Sequence, residues 1–161
     1  GPQASGLMVG RKDFFSWVEK TAFPTYGVGR MFKVGREEIV GLLAAVEQYV
    51  SMDGEARVQW AEDRIAAARK AFGGSTVVSV ERLFPNEAGQ PFPQMAFRFA
   101  VPGCSDEVLR LLREGDPSIF TMAADRESVF VNPMTLRDSE LDSIVERMKE
   151  IEALFLTKGG K

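Results

Sequence analysis

Two glycines and two cations in one short stretch are the residues of this chain best suited to chemistry. Residues 24–35 read Pro-Thr-Tyr-Gly-Val-Gly-Arg-Met-Phe-Lys-Val-Gly and run directly into the apolar stretch 37–50. Gly27 and Gly29 flank one small residue, so the backbone there can adopt positive φ and come close to a ligand. Arg30 and Lys33 stand three residues apart. On a helical turn they share a face and can clamp one anion: a guanidinium meets a carboxylate or phosphate in bidentate fashion, and an ammonium adds a point charge. Glycine-rich turns are also common ahead of helices, and neighbouring cations often form no more than a solvated face.

Composition narrows the chemistry. The chain has 161 residues, 45% of them hydrophobic, enough for one good-sized domain or one lobe of something larger. A formal net charge of −3 argues against a dedicated nucleic-acid binder, although a local basic patch at Arg30 and Lys33 survives that average. There is no histidine, and Cys104 is the single cysteine. That excludes an internal disulfide, histidine-built catalytic dyads and transition-metal sites within this chain. A thiol just ahead of a helix can be reactive, but with no histidine partner the structural reading of Cys104 is favoured. With neither a signal-peptide layout nor a membrane-length apolar run, the expected location is the cytoplasm, without a membrane partner.

The elements that must carry these residues follow from periodicity. Residues 4–10, small and apolar, have the texture of a buried strand,. Such a strand needs neighbours, and the chain opens Gly-Pro-Gln without methionine, so a piece of a longer protein is expected; Gly1-Pro2 also fits a protease-cleavage scar. Asp13 is expected to cap a short helix carrying Phe14, Trp17 and Val18 over that strand and ending before Pro24. Ile39, Leu42, Leu43, Val46, Tyr49 and Val50 mark an amphipathic helix, and Val58, Ala61, Ile65, Ala68 and Phe72 a second one that stops at Gly73-Gly74,. From residue 75 the period becomes two. Strands are expected at 76–82 and 94–101, as a hairpin about the turn-rich loop 85–91, and at 119–122 and 128–131. Ser105 is expected to cap the helix between these pairs. Ser139 is expected to cap a last helix with Leu141, Ile144, Met148, Ile151 and Phe155 on its apolar stripe, and 157–161 to fray. The expected fold is α+β: long helices, then a small, mostly antiparallel sheet with two helices over one face.

A family resemblance rests on particular residues. Gly1-Pro2-Gln3-Ala4, Val9-Gly10-Arg11-Lys12, Gly27-x-Gly29-Arg30-x-x-Lys33-Val34 and Glu37-Glu38-Ile39-Val40-Gly41-Leu42-Leu43 together resemble the fold-type-I pyridoxal-phosphate enzymes of the bacterial selenocysteine synthase group, and within it the D-glucosaminate-6-phosphate ammonia-lyase subgroup. The resemblance is strongest over residues 1–50 and continues through Gly115-Asp116-Pro117-x-Ile119 and Asn132-Pro133-x-Thr135-Leu136.

The resemblance implies that residues 1–34 end a large pyridoxal-phosphate domain and hold an active-site segment, 35–73 are linking helices, and 74–161 are the small C-terminal α+β domain. It implies a Schiff-base lysine shortly before the segment that Gly1-Pro2-Gln3 matches, with Gln3 near the cofactor. Arg30 and Lys33, with Tyr26 and Gly29 beside them, fall where the group binds an anionic small-molecule substrate, within their own subunit or across a subunit boundary. The implied partners are the rest of the large domain and further copies of the subunit. The implied reaction is α,β-elimination from an amino acid or amino sugar acid bearing an anionic group. The alternatives are a selenium-transferase-like β-replacement and a non-enzymatic binding or assembly module. There are departures: Lys33 replaces an arginine, which argues against selenium transfer. Relatives often carry two arginines in the small domain where this chain has Thr121 or Met122, and Met134, which argues against carboxylate binding by that domain.

Overall fold

The computed structural model describes residues 1–137 and 139–159. The chain divides into two compact units, Gly1–Asp53 and Gly54–Lys161. The first carries α1 (Lys12–Thr21), a 3-10 turn (Arg30–Phe32) and α2 (Arg36–Ser51). The second carries α3 (Gly54–Ala71), β1 (Val78–Leu83), β2 (Gln94–Phe99), α4 (Ser105–Arg113), β3 (Ser128–Val131), a 3-10 turn (Pro133–Thr135) and α5 (Glu140–Gly159). Among the described residues no helix is long and apolar enough to cross a membrane.

The α+β expectation holds, and the core of the second unit shows why. β1, β2 and β3 pair antiparallel in that order, with Val78 opposite Phe99, Val80 opposite Phe97, Phe97 opposite Val129 and Met95 opposite Val131. These residues alternate along their strands and so share one face. Against that face pack Ile65, Ala68 and Phe72 of and after α3, Val108 and Leu112 of α4, and Leu141, Ile144, Met148, Ile151 and Phe155 of α5. The core is thus built with three helices rather than the two expected, because the stripe of α3 is buried on the same sheet as those of α4 and α5. Phe72 meets Phe97 edge-on at 5.6 Å and Phe99 meets Phe155 at 5.7 Å, a geometry aromatic pairs prefer. On the sheet's other face Arg98 reaches Glu81 at 2.7 Å and Asp125 at 2.5 Å.

The hairpin loop is organised by Asn86. Its side-chain oxygen accepts from the amides of Ala88 and Gln90 at 3.1 and 2.8 Å, and Gly89 turns the chain with φ 72°, which a side chain would resist.

Several expectations change. Residues 119–122 form no strand: the Phe130 amide donates to the Met122 carbonyl at 2.9 Å and Ala123 makes a single bridge to Val129, so the segment borders β3 without joining the ladder. Residues 4–10 are likewise not a strand. They pair with no strand among the described residues, and Val9 is 89% exposed. The first turn of α1 holds Asp13 inside it, with Arg11 at the N-cap making no side-chain cap. Cys104, not Ser105, is the N-cap of α4. α5 continues as helix to Gly159, so 157–159 are not frayed; 160 and 161 lie outside the described residues.

Candidate functional site

The site candidates belong to the first unit, and its local backbone explains their placement. At the end of α1 the Ala22 amide donates to the Val18 carbonyl at 2.8 Å. The chain then loops through 23–28 and returns, where the Gly29 amide donates to the Thr21 carbonyl at 2.9 Å. A Cβ on Gly27 would lie 2.4 Å from Thr21 Cα and from its carbonyl oxygen, closer than real side chains come to backbone. Gly27 is therefore required by the chain's own packing. Gly29 has φ −81°, and among the described residues positive φ occurs at Gly89 and Gly103. The positive-φ expectation for Gly27 and Gly29 is thus corrected: these glycines admit a neighbouring backbone, not a left-handed turn. The amides here are also engaged, since those of Arg30 and Phe32 donate to the Gly27 and Gly29 carbonyls at 3.0 and 3.1 Å.

The loop brings two cations to one aromatic ring. Arg30 opens the 3-10 turn and Lys33 closes it. The Arg30 guanidinium carbon lies 4.8 Å from the centre of the Phe23 ring and 4.6 Å from that of Tyr26, and Lys33 Nζ lies 4.9 Å from the centre of Phe23. Arg30 Nη1 also donates to the Pro24 carbonyl at 2.9 Å. Among the described residues neither cation has a carboxylate partner, whereas Arg82 is paired with Glu62 and Arg98 with Glu81 and Asp125. Ring faces hold a cation without cancelling its charge. The pair can therefore offer positive charge to an anion from solvent.

Beside the cations lies an open cavity of about 810 Å³, lined by Phe14, Trp17, Phe23, Gly29, Phe32 and Lys33 among others. Phe14 and Trp17, expected to cover a strand, line this cavity instead. Tyr26 is 92% exposed and stands on Arg30. Gln3 is exposed on the turn of an N-terminal segment whose Pro2 packs on Gly41 and whose Gly1 packs on Leu42; among the described residues no hydrogen bond or ion pair links it to Arg30 or Lys33. So Tyr26, Arg30 and Lys33 come together, Gly29 supports them through the backbone, and Gln3 does not join them. Sequence reasoning passed over Phe23. The available signal was an aromatic residue at the mouth of the glycine loop, but only the fold sets it against residues seven and ten positions on.

Cys104 is buried at its N-cap position. Burial pushes its thiol up, a hydrogen bond from its own backbone opposes this, and Glu127 and Glu107 add to the rise. Burial and a disfavoured thiolate suit a structural role for this thiol.

A three-stranded antiparallel sheet with helices over one face, preceded by two long helices, makes this an α+β protein. No family model matches the chain. It is similar to the D-glucosaminate-6-phosphate ammonia lyase of Salmonella typhimurium (strain 14028s / SGSC 2262), 29% identical over 153 residues that cover 91% of this chain and 39% of the relative. A solved structure of a D-glucosaminate-6-phosphate ammonia-lyase matches with a TM-score of 0.56 at 23% identity, covering 80% of this chain and 35% of that one. The expected resemblance to a D-glucosaminate-6-phosphate ammonia-lyase is borne out by the sequence relative, and the structural match gives the fold over the shared part. The chain spans well under half the length of each.

Proposed function

We propose that this chain is the C-terminal part of a pyridoxal-phosphate-dependent lyase that eliminates ammonia from an amino sugar acid or amino acid carrying an anionic group. The carrying observation is the pair Arg30 and Lys33 gathered on Phe23 without a carboxylate between them. The lyase relative, whose name specifies a phosphorylated amino sugar acid, supports the same reading.

Within that reading the chain's own residues bind and orient. Arg30 offers its guanidinium to two oxygens of the substrate's anionic end, Lys33 adds a point charge, and Tyr26 keeps the guanidinium in place. The bound cofactor supplies the electron sink for elimination. A cofactor of this kind needs a lysine amine and an acid at its pyridine nitrogen, and the segment holding Gln3 packs on Gly41, Leu42 and Ala45, which provide neither. The residues of this chain do not fit the whole group. Gln3 serves at most as one contact to it, and the remaining ligands belong to the rest of the large domain. That domain and a second subunit also cover the apolar side chains that the first unit exposes. Residues 1–34, 35–73 and 74–161 correspond to the end of the large domain, the linking helices and the small domain of the enzyme.

The test is ammonia release from D-glucosaminate 6-phosphate by the full-length protein. Arg30→Ala is expected to cost about 1.5 to 3 kcal/mol, lowering kcat/KM roughly ten- to 150-fold, with the circular dichroism unchanged. Unaltered kinetics would remove Arg30 from the substrate site.

A further inference from the structure

The geometry points to a role for Phe23 that the anion site alone does not include: we propose that Phe23 is a positioning residue, whose ring sets the spacing of Arg30 and Lys33 for one bound phosphate. The inference rests on reading those two cations as an anion site, and adds what holds them there.

One ring touches both cations, at 4.8 Å from the Arg30 guanidinium and 4.9 Å from Lys33 Nζ. Moving that ring moves both. The ring itself is mounted on fixed backbone. Ala22, just before it, makes a parallel bridge to Gly29, and the Thr25 hydroxyl, just after it, donates to the Lys20 carbonyl at 3.1 Å and also to that of Ala22. Phe23 is half-exposed, at 46%, and lines the large cavity with Gly29 and Lys33. A residue present only to fill a core would be buried; this one presents its surface to an open cavity and to two cations that have no carboxylate partner among the described residues. Arg30 is further held by Tyr26 at 4.6 Å and by the Pro24 carbonyl at 2.9 Å from Nη1, so three groups contact it without neutralising it. Long side chains lose much rotamer freedom on binding a ligand. Held in advance, these two lose less, and the anion binds more tightly for the same contacts.

The experiment measures inorganic phosphate binding to the full-length protein by phosphorus NMR line broadening. Arg30→Ala and Lys33→Ala are expected to weaken phosphate. Phe23→Leu, which keeps an apolar side chain and removes the ring face, is expected to raise Kd by about two- to tenfold, and Phe23→Trp to hold it within about twofold of the wild type. Weakening by Leu together with rescue by Trp separates positioning from simple bulk. Should Phe23→Leu disturb the unit's amide spectrum, Phe23→Met and Phe23→Trp carry the test: weaker binding by Met with Trp within about twofold of the wild type supports the role, and unchanged binding by Met overturns it. If Arg30→Ala weakens phosphate while Phe23→Leu leaves Kd unchanged, the positioning role is overturned and the anion site stands. If neither Arg30→Ala nor Lys33→Ala changes Kd, the anion site falls and the role of Phe23 with it.

Discussion

At the scale of residues, close approach and charge partners decide most of what can be tested. Gly27 is the clearest steric case, because an added Cβ would press on the Thr21 backbone at 2.4 Å, where no flexible side chain can yield. Gly27→Ala is expected to destabilise the return of the loop by about 1 to 3 kcal/mol. The measurable sign is faster hydrogen exchange at the Gly29 amide, which donates to Thr21, by roughly tenfold or more; an unchanged rate would show that the loop does not need its glycine. Asp125 is the clearest charge case. Arg98 beside it, helped by the Glu127 amide, holds its carboxyl well below the usual 3.8, at about 2. A carboxyl depressed in the folded state stabilises above its unfolded pKa and loses that contribution as pH falls through the folded value. The loss should therefore fall between about pH 4 and pH 2. Acid-unfolding curves are expected to slope less over that window in Asp125→Asn than in the wild type, and parallel curves would assign the acid transition to other groups.

The glycine loop also shows what was legible at this scale. Arg30 and Lys33 stood out by type and spacing, and the fold does bring them to a common ring. The role of the glycines was misjudged, because sequence displays a glycine without displaying which atoms crowd it. Gln3 stood out through resemblance only, and nothing in the described residues joins it to the cations.

At the scale of elements, the same periodicity produced two kinds of helix. The apolar positions of α3, Ala61, Ile65 and Ala68, are buried as their spacing implied. The stripe of α2 is just as regular, yet none of its residues is fully buried, and Val50 is 77% exposed. Period reveals which face is apolar, and burial depends on what lies opposite. Phe97→Ala, at the centre of β2 against Phe72 and Val80, is expected to cost about 3 to 5 kcal/mol, whereas Val50→Ala is expected to stay within about 0.5 kcal/mol. Urea unfolding of the chain checks both, and a large loss at Val50 would mean that α2 has a packed partner. Strands were legible where an alternating stretch found a partner to pair with along its length, at β1, β2 and β3. They were not legible at 4–10 or 119–122, because composition cannot show whether a neighbour completes the ladder.

At the scale of the whole molecule, the division at Asp53 and Gly54 separates two very different interiors. The second unit has a continuous core. In the first, α1, the 3-10 turn and α2 contain no buried residue. Residues 54–161 alone are expected to unfold cooperatively at a midpoint close to that of the entire chain. The entire chain is expected to bind the dye ANS several-fold more strongly than 54–161, through the apolar side chains of the first unit. Equal dye binding would mean that those side chains are covered in solution.

The amino-acid order by itself determined the helices, the hairpin, the α+β class and the two cations, because each depends on neighbours within a few positions or on a repeating face. Only the tertiary structure decided that Phe23 carries both cations, that Gly27 is needed for contact with Thr21, and that three helices share the sheet. Those facts depend on residues brought together by chain reversal, and no local period records which groups a reversal will set face to face.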